Sequence, residues 1–359
     1  MKIIDRYILK EFFLFLCMIM SLFVTLFIII DFFERLKLFL NNNASLSQMG
    51  SFIFYQIPMI VSLTLPVAVL IATLITLSTF SRNSEITAMK ANGISLYRIA
   101  SPIFLSAVII SFFLFFFSEW VTPMANQKAD HIKYVEIKKQ QARGSFKQSQ
   151  IWYRGMDGIY NFNLYNPQTG TIQGVSLYFM TRDFRLRMQI SAEKAVWEKN
   201  RWVGQNVQVI SFSSDGLPSI QKQERIPLPI RETPVDFEAV QKSPDKMGYF
   251  ELKTYVDKLV KEGTEVNTYL TDLHAKLAFA FVTMILTAIG VIFSVHAERS
   301  GGVARSIGLG IIIGFSYWIV HAFSVSLGRS GTIPPLLAAW VANAVFMVMA
   351  LGLSRRIRT

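Results

Sequence analysis

The sequence predicts an α-helical membrane protein with six transmembrane helices and one β-jellyroll-like domain inserted between the third and the fourth. Composition points there first. Of 359 residues 52% are apolar and only 17% charged, with 30 Phe against 24 Asp plus Glu. That is too little charge to solvate a soluble surface, and the same numbers exclude disorder and low complexity. The second observation is distribution: the apolar residues stand in runs long enough to cross a bilayer. The third is one long polar stretch between two groups of such runs.

Phe12–Ile30 has 19 residues without a charge, Ser51–Phe80 has 30, Ile99–Ser118 has 20, Leu277–Val295 has 19, Ile307–Leu327 has 21 and Gly331–Ser354 has 24. About 20 helical residues span the roughly 30 Å hydrocarbon core, so each run reads as one span, and runs of this length are rare as buried soluble helices. Pro58 and Pro66 are expected to bend the second. Phe12–Ile30 is expected to be a retained span rather than a cleaved leader: it is longer than an h-region, and Asp31-Phe32-Phe33-Glu34 is no small-residue cleavage site. The single cysteine, Cys17, has no intrachain partner, so cysteine usage says nothing about redox compartment.

Short flanks on one side hold Lys2, Arg6, Lys10, Arg82, Lys90, Arg98, Arg299, Arg305, Arg355, Arg356 and Arg358, 11 in all, against Arg35, Lys37 and Arg329, 3, on the other. The richer side is cytoplasmic, and an even number of spans puts both termini there. The insertion, about residues 122–273, then faces outward. Strict alternation in Phe184–Ile190 and in Tyr160–Leu164 marks strands with one wet face, and Trp197–Trp202 reads as two strand ends joined by a polar turn. A sandwich or a curved half-barrel fits this spacing. Tyr249–Gly263 has helical apolar spacing. With Lys128–Gln141 it is expected to form stalks rising from the membrane. The organisation is therefore residues 1–121 with three spans, 122–273 outside, and 274–359 with three more.

Catalytic motifs are missing from the sequence. It holds no G-x-x-x-x-G-K-[ST], no H-E-x-x-H and no C-x-x-C. His131, His274, His296 and His321 are scattered. His321 lies inside the fifth span, either as a proton-relay group or as a hydrogen-bonding residue facing the bundle; the lack of another mid-span ionisable residue favours the second. Asp31, Glu34 and Glu119 all sit at span ends. Ionisable residues are dispersed along the chain, which speaks against a membrane-embedded lipid- or glycan-modifying enzyme. A sensory membrane protein that binds a ligand on its outer β-domain is the other alternative. If the protein does work, the energy comes from another subunit. No catalytic residue, metal or cofactor is expected in this chain.

The loop Arg82–Ser95 suggests such coupling. It begins with a helix-capping serine or asparagine, runs about two helical turns over about residues 82–92 and stops at Asn92-Gly93. A short helix across the cytoplasmic face is what ABC-transporter permeases insert into a cleft of their ATPase subunits; an ordinary amphipathic connector has the same signals.

With these features in place, the whole chain resembles a known family, the lipopolysaccharide-export permeases (LptF/LptG, also called YjgP/YjgQ). The residues are Ile4–Phe12, like its opening interfacial helix, and Ser84-Glu85-Ile86-Thr87-Ala88-Met89 with Ala91-Asn92-Gly93, like its coupling helix. Glu119-Trp120-Val121-Thr122-Pro123, Leu273-His274-Ala275-Lys276-Leu277-Ala278, Arg299-Ser300-Gly301-Gly302 and Ile333–Trp340 resemble later motifs in the family's order. Leu9-Lys10-Glu11, Phe33-Glu34-Arg35-Leu36, Ile151-Trp152-Tyr153-Arg154 and Ile159–Phe162 are more like the G branch.

The resemblance implies a periplasmic β-jellyroll, a paralogous F permease subunit and two copies of a cytoplasmic ATPase subunit that uses ATP. It further implies that lipopolysaccharide enters sideways from the outer leaflet of the inner membrane and passes to a periplasmic bridge protein of β-jellyroll fold, for export to the outer membrane. No nucleic-acid partner is expected. Coupling falls on Glu85, Ala88, Met89 and Gly93. A large anionic amphiphile needs an apolar wall beneath basic groups at headgroup depth. Phe23, Phe27 and Phe32 supply the wall, and Arg35, Lys37, Lys133 and Arg329 the cations, with snorkelling at the interface as the plain alternative for each. Lys37 and Lys133 match basic positions of the family. Asp31, Leu38 and Asp130 stand where a relative is basic, and Phe279 where proline is usual. Asp31 would repel a phosphate unless it pairs with Arg35 one turn on.

Overall fold

In an apolar medium each backbone N–H and C=O must be satisfied within its own segment, and all six apolar runs are helices. The computed structural model describes residues 3–138, 151–154, 158–166, 169–180, 186–198, 200–212, 218–230, 232–234, 244–261, 266–296 and 303–354. The helices are α1 (Ile3–Asn41), α2 (Leu46–Arg82), α3 (Glu85–Ala91), α4 (Leu96–Phe116), α5 (Thr122–His131), α6 (Tyr249–Lys261), α7 (Asn267–His296), α8 (Val303–Arg329) and α9 (Pro335–Ser354). π-helical turns at Phe117–Val121 and Ile132–Ile137 flank α5. Six helices are long and apolar enough to cross a membrane: α1, α2, α4 with its continuation, α7, α8 and α9. The chain forms two compact units. One holds Met1–Asp130, Pro244–Val256 and Val266–Thr359, the other His131–Ser243 and Asp257–Glu265.

In the helical unit α2 is the central element. In its most apolar stretch 83% of residues are buried, against 11% in α1. It passes through Pro58 and Pro66 without a break, and Ser62 Oγ donates to the Pro58 carbonyl at 3.0 Å. Ser45 and Gln48 close a reciprocal capping box at its start. Its two sides feed two cores. Val69 and Ala72 face Ile8, Phe12, Leu16 and Ile19 of α1 with Ile99 and Ile103 of α4. Leu70 and Leu74 face Val282, Leu286 and Ile289 of α7 with Tyr317 of α8 and Phe346 of α9.

Hydrophobicity does not hold helices together in lipid; close packing and interhelical hydrogen bonds do. Tyr317 Oη donates to Asn343 Oδ1 at 2.8 Å, and Asn343 Nδ2 donates to the Ala278 carbonyl at 2.8 Å, so one amide joins α7, α8 and α9. Ser78 and Ser306 hydroxyls meet at 2.5 Å between α2 and α8. Gly310 and Gly314 let α8 approach α2: a Cβ there would lie 2.7 Å from Ile71 Cγ1 and 2.8 Å from Val67 Cγ1.

The second unit contains one antiparallel sheet in the order β1 (Ile151–Arg154), β2 (Ile159–Asn166), β3 (Thr171–Met180), β4 (Leu186–Glu198), β5 (Arg201–Phe212), β6 (Pro218–Pro227). Among the described residues the strands form this one sheet, and they follow one another in sequence order. Its buried face carries Tyr160, Phe162, Leu177, Ile190 and Trp202, closed over by Leu228 and Ile230. The Trp202 indole N–H donates to the Glu232 carbonyl at 2.7 Å, and Leu228 N–H to the Trp202 carbonyl at 2.8 Å. The expected strand Phe184–Ile190 is described only from Leu186, and Lys199 of the Trp197–Trp202 turn lies outside the described residues. The pairs Trp197↔Trp202 and Glu198↔Arg201 bring the two strand ends together as expected.

Strict alternation fails at one level of this sheet. Core-facing residues are three apart rather than two at Ile172/Val175, Ala192/Ala195 and Gly204/Val207. These positions are aligned by register, and between them Gly174, Glu193 and Asn206 interrupt the ladders. Gly174 (φ 63°) and Asn206 (φ 51°) are left-handed, and Asn206 Nδ2 donates to Glu193 Oε2 at 2.7 Å. A crease therefore crosses the sheet and reverses which parity of residues faces the core.

The α2–α8 approach yields a test. Gly314→Ile is expected to destabilise the purified protein by roughly 1–3 kcal/mol through overpacking. Gly308→Ile, where no atom lies within 4 Å of a Cβ, should leave thermal unfolding in detergent unchanged.

Candidate functional site

Two places carry the residues singled out by sequence. The first is α3. Ser84 stands at its N-terminus with φ 61° and makes no side-chain cap, which corrects the expected capping serine: a left-handed backbone aims the hydroxyl away from the first-turn amides. Asn83 Nδ2 instead donates to Glu85 Oε1 at 3.2 Å. The helix ends as expected, with Ile94 N–H bonded to the Met89 carbonyl and Gly93 at φ 80°. Ile86 is buried and Met89 packs against the α1–α2–α4 core. Ala88 and Gly93 are exposed, with Thr87, Lys90 and Ala91 beside them. Of the four coupling candidates, then, Ala88 and Gly93 face outward, Met89 anchors the helix, and Glu85 is held by its own chain.

The second place is the far end of α1. Ile8, Phe12, Leu16 and Ile19 form its buried stripe, which Phe23 continues as a packing residue. Phe27 is 43% exposed on the open flank, beside Leu26, Ile30 and Phe33. Phe32 stacks towards Phe39, which meets Phe52 of α2. Arg35 is held between a carboxylate and a ring: its Nε donates to Asp31 Oδ1 at 2.8 Å, and its Cζ lies 5.2 Å from the Phe52 centroid. The anticipated Asp31–Arg35 pair therefore exists. Lys37, by contrast, is exposed and forms no ion pair with a described residue.

Lys133 belongs to the second unit, where its ammonium lies 5.1 Å from the Tyr134 ring. Arg329 ends α8 and pairs with Asp272 of α7 at 2.6 Å. Asp130 likewise pairs with Lys246. Asp31, Asp130 and Asp272 are thus each neutralised by a base of the same chain.

Ionisable residues that are dispersed in sequence converge in space. Glu119, Asp272, Lys276, His321 and Arg329 line one cavity; antiparallel helices bring distant span ends level. Both carboxylates are engaged. Asp272 holds Arg329, and Glu119, in the π-helical turn after α4, accepts from the Tyr249 and Phe250 amides, 3.2 Å for the latter. A carboxylate from one helix thereby caps another, α6. Sequence showed Glu119 only as a span end, since its partner lies 130 residues on. Among the described residues no His/Cys/Asp/Glu group is placed to hold a metal.

Glu119→Ala is expected to speed amide exchange at Tyr249 and Phe250 and to cost on the order of 0.5–2 kcal/mol. Gly248→Ala should do the same, because a Cβ at Gly248 would lie 2.5 Å from Glu119 Oε1. Exchange unchanged in both variants would show that the cap does not stabilise α6.

With this geometry in view, similarity to known proteins is informative. The family model described as lipopolysaccharide export system permease LptF/LptG matches residues 6–356. The lipopolysaccharide export system permease protein LptG of Escherichia coli (strain K12) is 24% identical over 360 residues, 99% of this chain and 98% of the relative. That of Haemophilus influenzae (strain ATCC 51907 / DSM 11121 / KW20 / Rd) is 23% identical over 363 residues, 99% of each. Six apolar helices, an antiparallel domain inserted among them and a match along nearly the whole chain lead to one assignment: the protein belongs to the lipopolysaccharide export system permease LptF/LptG family, and is a transporter permease rather than an enzyme.

Proposed function

We propose that this chain is the G-type permease subunit of an ABC transporter that extracts lipopolysaccharide from the inner membrane and passes it to a periplasmic bridge. The observation that carries the reading is the family match over residues 6–356. Its partners are a paralogous F subunit and two copies of a cytoplasmic ATPase, whose ATP hydrolysis supplies the energy. Both termini and α3 are cytoplasmic and the sheet is periplasmic, a reading supported by the 11-to-3 bias in flanking Lys and Arg.

Two features support the division of roles. The outward face of α3 (Thr87, Ala88, Lys90, Ala91) stands on a buried anchor, Ile86, as a helix that seats in a partner requires. The α1 flank presents Leu22, Leu26, Phe27 and Ile30 unburied beneath exposed Lys37, an apolar wall with a cation at headgroup depth.

Affinity purification in mild detergent with lipid mass spectrometry tests the whole reading: an ATPase, a second six-span subunit and lipopolysaccharide should co-purify, and recovery of none of them refutes it. Ala88→Arg is expected to reduce ATPase recovery without lowering the yield of this chain. Lys37→Glu should reduce lipopolysaccharide photo-crosslinking at Phe27 several-fold in an intact complex; unchanged crosslinking removes Lys37 from the path.

A further inference from the structure

The turn that carries Glu119, Phe117–Val121, has one residue more than an α-helical turn, and the Thr122 N–H bonds the Phe117 carbonyl five residues back. A π turn inside a longer helix accommodates one inserted residue, and such turns are frequent at functional sites.

The bonds that keep this turn in place are uneven. Pro123 follows it at once and has no N–H to give to the turn's carbonyls. The Thr122 hydroxyl reaches the Phe117 carbonyl only at 3.4 Å and meets Ser62 Oγ of α2 at 3.0 Å. The firmest tie is the Glu119 carboxylate, whose two oxygens accept from the Tyr249 and Phe250 amides. Hydrogen bonds to an ionised acceptor are roughly twice as strong as neutral ones.

The segment that returns from the insertion is fitted to that carboxylate. A Cβ at Gly248 would lie 2.5 Å from Glu119 Oε1 and 2.9 Å from the Glu119 carbonyl oxygen, so glycine is what lets the backbone come this close. The Tyr249 ring lies 6.0 Å from that of Phe115, and Lys246 pairs with Asp130. Pro244 and Tyr249 are thereby held in the wall of a cavity of about 480 Å3. On the side of α4 and α5 that wall includes Ser118, Glu119, Thr122 and Asn126, but not Phe117.

An inserted residue can move along a helix without any change in chain length, and helix register shifts are microsecond-to-millisecond motions. When the π turn moves one turn towards the start of α4, each residue it leaves takes the place of the one before, a rotation of about 100°. Ser118 then stands where Phe117 stood and leaves the cavity wall. Glu119 stands where Ser118 stood, away from the α6 amides. Thr122 and Asn126, beyond the turn, keep their places.

We propose that the Glu119 turn is a two-position latch on the return segment of the insertion. In the observed position Glu119 caps α6, and Pro244 and Tyr249 complete the cavity wall. In the other the π turn lies nearer the start of α4, the cap is broken, and residues 244–250 are free to leave the wall. Cap and register form one cooperative unit, because the carboxylate reaches the two amides only while the extra residue lies in this turn. A small shift along α4 is thus converted into release of the first turn of α6 and opening of the cavity. The latch does not depend on what the chain carries.

The test labels single cysteines with a charged, water-soluble thiosulfonate, in a Cys17→Ala background and in the protein as it purifies in mild detergent. Ser118→Cys, Asn126→Cys and Ala275→Cys place the thiol on the turn, beyond it and on the facing helix α7, all in the cavity wall. Two further substitutions break the cap: Gly248→Ala by crowding the carboxylate and Glu119→Ala by removing it. In either, labelling of Ser118→Cys is expected to slow several-fold, while Asn126→Cys and Ala275→Cys label at least as fast as before. A change shared by all three positions means that the return segment moves with the turn in place, and overturns the latch. Equal rates at Ser118→Cys with and without the cap overturn it too, as does unchanged amide exchange at Tyr249 and Phe250 in both variants. Glu119→Ala keeps the test decisive should Gly248→Ala fail to fold. Because the readout is a thiol reaction on this chain, failure here leaves the transport reading standing, and failure of transport leaves this one.

Discussion

The helical unit depends on the burial of α2 on nearly all sides. A helix that is apolar all round has no face to give to lipid or water in preference to another, and α2 accordingly supplies both cores, with Val69 and Ala72 to one and Leu70 and Leu74 to the other. Burial brings a requirement of its own, since each hydroxyl on α2 needs a partner. Thr64, Thr73 and Thr76 meet it by donating to carbonyls one turn back on the same helix, and Ser78 reaches α8. The rest of the bundle is arranged around this axis, and α1 and α8 are the least buried of the six spans.

Charge is distributed by a second pattern: four aspartates near helix ends are matched within the chain. Asp5 takes Arg98 at 2.8 Å, Asp31 takes Arg35, Asp130 takes Lys246 and Asp272 takes Arg329. Several of these pairs join separate elements, so they fix the packing of helix ends as well as neutralising charge. The cations left to meet an external anion are then fewer than composition suggests, and Lys37 is the clearest of them. For a permease this matters. A +12 chain attracts anionic lipid everywhere by field alone, whereas a path needs a few unmatched cations in defined places.

Glu119 shows how the same economy serves connection. The turn after α4 is π-helical, which shifts the carboxylate around the axis to reach the first amides of α6. The helix that leaves the bundle towards the insertion and the helix that returns from it are thereby tied inside one compact unit. The Lys246–Asp130 pair adds a second tie nearby.

The sequence by itself determined the number, order and approximate length of the membrane helices, because a run of about 20 apolar residues has one solution in a bilayer. It determined that Tyr160–Leu164 and the residues about Trp197–Trp202 are strands, and that α3 ends at Asn92-Gly93. It also carried enough of the family pattern for the function to be expected before any geometry was known. Local chemistry was sufficient for all of these.

What only the tertiary structure decided involves residues far apart in the chain. Alternation is read along one strand, yet the crease at Gly174, Glu193 and Asn206 is a property of neighbouring strands in register. Phe23 and Phe27 are alike in sequence, and only packing separates a core residue from an open one. Glu119 and Tyr249, or Arg329 and Asp272, become partners through antiparallel helices that bring distant positions level. The same levelling brings Glu119, Asp272, Lys276, His321 and Arg329 into the lining of one cavity. Periodicity records which face of a segment is apolar, but not which other segment that face will meet.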